Sequence, residues 1–261
     1  MKLSIIIPLF NEREYIGGVV TACLEQQVGG VESCEIIIVD DCSTDGSKEI
    51  AETLAGIHNA VTLACHGANQ GKGGAVRTGL QHAAGDVVII QDADPEYDPA
   101  DFAKMLAPIL EGKADAVFGS RFQGSSQKRV LLFWHTVGNK FLTTFSNMWT
   151  NLNLTDMETG YKAFTIDVAR RLNIRENRFG LEPELTASLA AMGARIYEVG
   201  IQYHGRGYAE GKKISWKDGL AGLWCIAKYG ILFRLTAANS KASGKTRAVA
   251  PRNPNLSANV R

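Results

Sequence analysis

Runs of β-branched residues with no polar alternation constrain this chain most. Leu3–Pro8, Glu35–Val39 and the start of Asp86–Asp94 read as strands buried on both faces, the kind found inside a parallel sheet. Ala60–Leu63 is a weaker run of the same type. Between them lie stretches with helical spacing: Tyr15, Ile16, Val19, Val20, Cys23 and Leu24; then Ile50, Ala51 and Leu54; then Ala75, Val76, Gly79, Leu80 and Ala83. Strands alternating with helices predict an α/β fold: a doubly wound, mostly parallel sheet with helices on both faces. Pro8 cannot donate to a ladder and is expected to end the first strand, and Asn11 is expected to cap the helix after it.

Further along, Phe102, Met105, Leu106 and Ile109 predict a helix that Pro108 should shorten or bend. Residues 114–119 predict a strand, 130–152 a long amphipathic stretch, 161–165 an extended segment, 181–192 a helix and 195–199 a strand. A Gly-rich basic loop at 204–213 and a helix at 217–235 follow. Residues 236–261 carry no acidic residue and read as a disordered basic tail. The chain has 261 residues, 45% of them hydrophobic, enough for one large domain. A net charge of +1 gives no field that would argue for nucleic acid. Five cysteines with no C-x-x-C pair are ordinary for a reducing compartment. With no basic-then-apolar leader and no apolar run near the ~20 residues that span a bilayer, the expectation is a cytoplasmic protein, or one attached peripherally to the cytosolic face of a membrane.

The chemistry-bearing motifs fall where the parallel strands end, the edge at which open α/β sheets bind ligands. Asp92 and Asp94, one residue apart after the fourth strand, offer hard oxygens suited to Mg²⁺ or Mn²⁺; the alternative is a turn that is merely acidic. Pro8, Asn11 and Glu12 follow the first strand, and Asp40 and Asp41 the second. A carboxylate there can accept from the ring N–H of a nucleobase, although Asp40 could equally cap the next turn. Gly71-Lys72-Gly73-Gly74 allows close backbone approach, with Lys72 as a point charge for phosphate or as a solvated helix-start lysine. Together these describe a nucleotide-diphosphate site.

Three other signatures are excluded. The first strand lacks the G-x-G-x-x-G of a dinucleotide fold, and Gly73 stands where a Walker loop needs Ser or Thr. Asp41 through Glu52 approaches an EF-hand loop but follows a strand rather than a helix, with Ser43 and Lys48 at unsuitable places.

Ser4–Glu12, Ile37–Ser47 and Gln91–Asp94 resemble the family 2 inverting glycosyltransferases of GT-A fold. Gly119-Ser-Arg121, Asp156-Met-Glu-Thr-Gly-Tyr-Lys162 and Gly205-Arg206 through Lys213 are similar to the polyprenyl-phosphate branch, which includes dolichyl-phosphate mannose synthases. The resemblance implies that residues 1–235 form the GT-A domain, with a nucleotide-binding half to about residue 98 and an acceptor half beyond. It implies that Pro8, Asn11, Glu12 and Asp41 hold base and ribose, and that Asp92 lies near ribose and metal. Asp94 would be the main metal ligand, with Arg121, Arg206 and Lys213 facing phosphates. Where the family often has Leu-Gln or Leu-Ser after D-x-D, this chain has Pro95-Glu96-Tyr97, so no role carries over to Glu96.

The expected chemistry is one in-line displacement at the anomeric carbon. A polyprenyl-phosphate acceptor is already anionic and needs no base; a saccharide hydroxyl needs one, and Asp156 or Glu158 are the late acidic candidates. Asp156 could instead cap a helix or orient Lys162. His204 beside the basic loop is expected to be structural. Aromatic-rich helices at 130–152 and 217–235, flanked by Lys128, Arg129, Arg234 and the tail, suit an anionic lipid surface or else simply cover the sheet.

Overall fold

The computed structural model describes residues 1–124, 130, 132–178, 180–205, 219 and 221–232. Arg206, Lys213, Lys128, Arg129, Arg234 and the C-terminal tail lie outside them. Seven strands form one sheet in the order β3-β2-β1-β4-β6-β5-β7. These are β1 (Lys2–Leu9), β2 (Ser33–Asp40), β3 (Val61–Cys65), β4 (Val87–Ile90), β5 (Ala116–Ser120), β6 (Lys162–Thr165) and β7 (Ile196–Gly200). The helices are α1 (Ile16–Leu24), α2 (Ser47–Ile57), α3 (Lys72–His82), α4 (Phe102–Leu110), α5 (Phe133–Thr150), α6 (Ile166–Arg171) and α7 (Leu181–Met192), and residues 221–232 are also helical.

Among the seven strands every pairing is parallel except those of β6, which runs antiparallel to both β4 and β5. Its first residue, Lys162, pairs with Ile90 on one side and Phe118 on the other. The reversal brings residues 156–161 onto the edge from which β4 releases Asp92 and β5 releases Arg121.

Strand alternation divides the core into two layers. Ile5, Ile7 and Leu9 of β1 join Ile36 and Ile38 beneath α1 and α4. Ile6 turns the other way, with Ile37, Val39 and Val88, against Ala75 and Val76 of α3 and Leu181, Leu185 and Leu189 of α7.

Three local expectations are corrected. Asn11 caps no helix: Tyr15 stands at the N-cap of α1, while Asn11, at φ +54°, is tied to the next strand's turn. Its N–H donates to Ser43 Oγ at 3.1 Å and its Oδ1 accepts from Thr44 N–H at 2.8 Å. The β4 run stops at Ile90, because the Gln91 side chain donates to the carbonyls of Asp92 and Tyr97 and turns the chain. Pro108 is accommodated inside α4, which ends two residues later at Leu110.

Helix α5 splits its apolar residues between two faces. Its buried positions are Thr143, Ser146 and Thr150, flanked by half-buried Leu142, Phe145 and Trp149 packed on the core, whereas Phe133, Trp134, Phe141 and Met148 are 59–77% exposed. The inward polar side chains satisfy the backbone of the segment leading into β6. Thr143 Oγ1 accepts from Met157 N–H at 3.1 Å, and Asn147 donates to Leu154 O at 2.8 Å and accepts from Leu154 N–H at 3.1 Å. A buried loop backbone needs such partners, so polar Thr143 and Asn147 take inward positions and Trp134, Phe141 and Met148 are left outside. The helix over 221–232 packs beside it, with Gly230 so close to Trp149 that a Cβ there would lie 2.6 Å from the ring. Trp224 on that helix is 69% exposed.

Candidate functional site

At the end of β2 the two aspartates divide their work. Asp41 Oδ1 accepts from Gln70 N–H at 2.7 Å and Oδ2 from Gly71 N–H at 2.6 Å. His66 places Nδ1 2.7 Å from Asp41 Oδ1 and Nε2 2.9 Å from the Thr78 hydroxyl. A carboxylate only accepts, so Nδ1 carries the proton of that contact. Asp41 therefore fixes the Gly-rich turn. Asp40, 1% exposed, accepts from Ser43 N–H at 3.3 Å through Oδ2, while its buried Oδ1 has no partner among the described residues. Burying such an oxygen unpaired is costly, which marks Asp40 Oδ1 as an acceptor held for something else. Pro8 lies alongside, in register with Val39. Glu12 N–H donates to Ser47 Oγ at 3.0 Å, so the segment after β1 is fastened to the turn after β2.

The glycines expected to admit a ligand admit the protein's own backbone. Gly71 has φ +82°, and a Cβ on Gly71 or Gly73 would collide with the carbonyl oxygens of Asn177 or Glu176. Gly73 N–H donates to Asn177 O at 2.9 Å. This packing sets Lys72 at the head of α3 with its Nζ 2.6 Å from Asp92 Oδ1 and 3.8 Å from Glu182 Oε1. Burial opposes its charge, but Asp92 and Glu182 more than offset that and hold the ammonium above the usual lysine range.

Ala93 is 4% exposed and belongs to the core, whereas Asp92 and Asp94 on either side of it are half-buried, and the charges of both act on Lys72. Asp94 Oδ1 accepts from Glu96 N–H at 3.1 Å. Among the described residues no group of three or more histidine, cysteine, aspartate or glutamate side chains forms a ready metal cage. The donor set nonetheless fits a hard cation such as Mg²⁺ or Mn²⁺, which is held by one or two carboxylates and completed by water and substrate phosphate. A cation, Lys72, already sits on Asp92. Gly160 closes this corner: a Cβ there would lie 2.7 Å from Lys72 Nζ and 2.8 Å from Asp92 Oδ2.

On the β5 side, Asp156 is fully buried and bound to Arg121 by Nε and Nη2, both at 2.7 Å, and by the Arg121 backbone N–H at 3.0 Å. Its own N–H donates to Glu198 Oε1 at 3.1 Å. It thus caps no helix and does not touch Lys162, whose Nζ donates to the carbonyls of Met157 and Thr159 over the Phe118 ring. Burial lowers Lys162 to about 8. The Arg121 guanidinium lies 5.2 Å from the Tyr203 ring centre, and Tyr203 donates its hydroxyl to Glu96 Oε2 at 2.8 Å. Tyr97 stacks on Tyr161 at 5.1 Å and accepts from Gly160 N–H at 2.9 Å. These contacts join the stretch after D-x-D to both acceptor-side motifs. Burial, reinforced by Glu182, pushes the Glu158 carboxyl up to about 7, and its buried Oε1 has no partner among the described residues.

The glycosyl transferase family 2 profile matches residues 4–172, which contain β1 through β6 and both aspartate pairs. The chain is a family 2 glycosyltransferase. The enzyme is 30% identical over 205 residues to glycosyltransferase AglJ of Haloferax volcanii, covering 78% of this chain and 63% of that one. It therefore spans less than two thirds of AglJ. It is 29% identical over 223 residues to the undecaprenyl-phosphate mannosyltransferase of Micrococcus luteus, covering 81% of this chain and 87% of that one. Its fold matches that of glucosyl-3-phosphoglycerate synthase from Mycobacterium tuberculosis, solved with Mn²⁺, uridine diphosphate and glucosyl-3-phosphoglycerate. The TM-score is 0.66 at 18% identity, covering 87% of this chain and 79% of that one. The mostly parallel sheet is that of a GT-A fold.

Sequence reasoning missed Glu182, Glu198 and the Tyr97–Tyr161–Tyr203 group. Glu182 lies in Leu181-Glu-Pro-Glu-Leu185, where acids at a helix start read as dipole partners; no spacing relates them to Lys72. His204 contributes its backbone N–H to Glu96 O at 2.9 Å.

Proposed function

We propose that this enzyme moves a hexose, with inversion, from a nucleoside-diphosphate sugar to a polyprenyl phosphate at the cytosolic face of a membrane. One observation carries the reading: Asp92 and Lys72 meet in one corner, where the charge of Asp94 also acts on Lys72, and on the β5 side Arg121 engages both oxygens of its partner Asp156. Asp40 Oδ1 accepts a ring N–H of the base, with Pro8, Asn11, Glu12 and Asp41 forming the wall that keeps it in place. Bound to Asp94 and Asp92, Mg²⁺ or Mn²⁺ supplies positive charge to the leaving diphosphate. Lys72 adds a point charge, and Arg121 orients the acceptor phosphate. An acceptor oxygen forms its bond to the anomeric carbon as the bond to the diphosphate breaks, and no proton has to move. We propose that Arg206 and Lys213, which lie outside the described residues, face the phosphates. The lipid-acceptor name of the Micrococcus luteus relative supports this acceptor.

Among the described residues no helix is long and apolar enough to cross a membrane. The outward stripe of Trp134, Phe141 and Met148, continued by Trp224, serves as a peripheral interfacial surface. Flotation with anionic liposomes tests it; protein left wholly in the soluble fraction, with or without polyprenyl phosphate, defeats it.

Glu158 favours a second reading, transfer to a saccharide hydroxyl, since a carboxyl near 7 suits a general base. The deciding experiment incubates the protein with UDP- and GDP-hexoses, Mn²⁺ and either acceptor, and follows nucleoside-diphosphate release and glycolipid. Turnover with the saccharide and none with polyprenyl phosphate replaces the first reading with the second.

A further inference from the structure

Lys72 stands between two carboxylates from different elements. Asp92, after β4, holds its Nζ at 2.6 Å, and Glu182, in the first turn of α7, waits at 3.8 Å. The three side chains are partly buried, 33% exposed for Lys72, 23% for Asp92 and 13% for Glu182. Glu184, two residues on, gives its carboxylate to the backbone N–H groups of Arg175 and Glu176 at 2.8–3.0 Å. Among the described residues no backbone N–H donates to the Glu182 carboxylate in this way, and its described ion pair is with Lys72.

We infer that Glu182 is a positioning residue that receives the Lys72 ammonium when the divalent cation takes Asp92. The inference rests on the metal–nucleotide reading above. An ammonium on Asp92 Oδ1 and a dication at the ~2.1 Å of a Mg²⁺–oxygen bond would repel each other across one carboxylate. Lys72 must therefore move, and a partly buried ammonium without a carboxylate is costly. Gly160, lying against Lys72 Nζ and Asp92 Oδ2, limits where it can go. Glu182, already within ion-pair reach, is the partner next to hand. Lys72 thus competes with the cation until a diphosphate arrives, which couples metal binding to donor binding.

The test is Mn²⁺ binding followed by electron paramagnetic resonance of the free ion, with and without UDP or GDP. In the unmodified protein a nucleoside diphosphate should tighten Mn²⁺ binding. Glu182→Gln should weaken the nucleotide-bound affinity by about tenfold, within the usual range of site-to-site coupling. Lys72→Met should raise Mn²⁺ affinity without nucleotide by a similar factor, and adding Glu182→Gln to it should change nothing further. Circular dichroism of the metal-free variants confirms that they fold. Glu182→Gln within twofold of the unmodified protein overturns the inference while leaving the metal reading intact. So does an equal loss in the Lys72→Met background, which would mean that Glu182 acts without Lys72. If the unmodified protein binds no Mn²⁺ with either nucleotide, the metal reading falls and this inference with it.

Discussion

Asp41 and Asp156 are both buried carboxylates at the crevice, and they are held in opposite ways. Asp41 is held by two backbone N–H groups and the His66 imidazole, and its product is the shape of a loop. Asp156 is held chiefly by a guanidinium, and its product is the position of a charge. One carboxylate thus sets the geometry of a loop and the other fixes a cation, the Arg121 guanidinium.

The comparison can be broken from either end. Asp94→Asn should remove most of the metal's hold and slow nucleoside-diphosphate release by about a thousandfold, roughly 4 kcal/mol of transition-state stabilisation, with little change in unfolding midpoint. Asp156→Ala should leave Arg121 buried without its counter-ion and cost about 3–5 kcal/mol in urea unfolding. Asp41→Ala leaves two backbone N–H groups and the His66 imidazole without their acceptor, so its cost should be about 2 kcal/mol, with a larger effect on donor affinity than on acceptor KM. A cost for Asp41→Ala equal to or above that of Asp156→Ala would erase the distinction.

The smallest effect concerns Glu158, whose carboxyl is raised from its ordinary 4.5 to about 7, chiefly by burial. Between those values the folded state binds more protons than the unfolded chain, so this contribution is present at low pH and lost as pH rises through about 7. Glu158→Gln should remove that dependence and stabilise the protein at pH ~8 by about 1–2 kcal/mol, seen as a flattened plot of unfolding free energy against pH. A steeper plot would show that Glu158 has a cationic partner instead.

Much of the N-terminal part of the sheet was legible because its signals are local. Unalternated Ile and Val runs give buried strands, and the aspartates that end them must fall on one edge. The part after β4 depends on relations that one residue at a time does not carry. Lys162-Ala-Phe-Thr165 reads as extended but says nothing of direction, which only its pairing with Ile90 and Phe118 decides. The period of Trp134, Val137 and Phe141 gives α5 an apolar face without saying which way it points. That orientation is decided by the needs of Met157 and Leu154, whose backbone groups Thr143 and Asn147 satisfy. Likewise Asp40 and Asp41 are chemically identical neighbours, and only the fold assigns one inward to Gln70 and Gly71 and leaves the other with an open oxygen.

The reversed strand β6 has a mechanical consequence. Because it is laddered to β4 on one side and β5 on the other, the strand tips that carry Asp92 and Arg121 belong to one continuous sheet and cannot swing apart like jaws. Any change of shape at the crevice is thereby confined to the segments beyond those tips, such as the turn after Asp94.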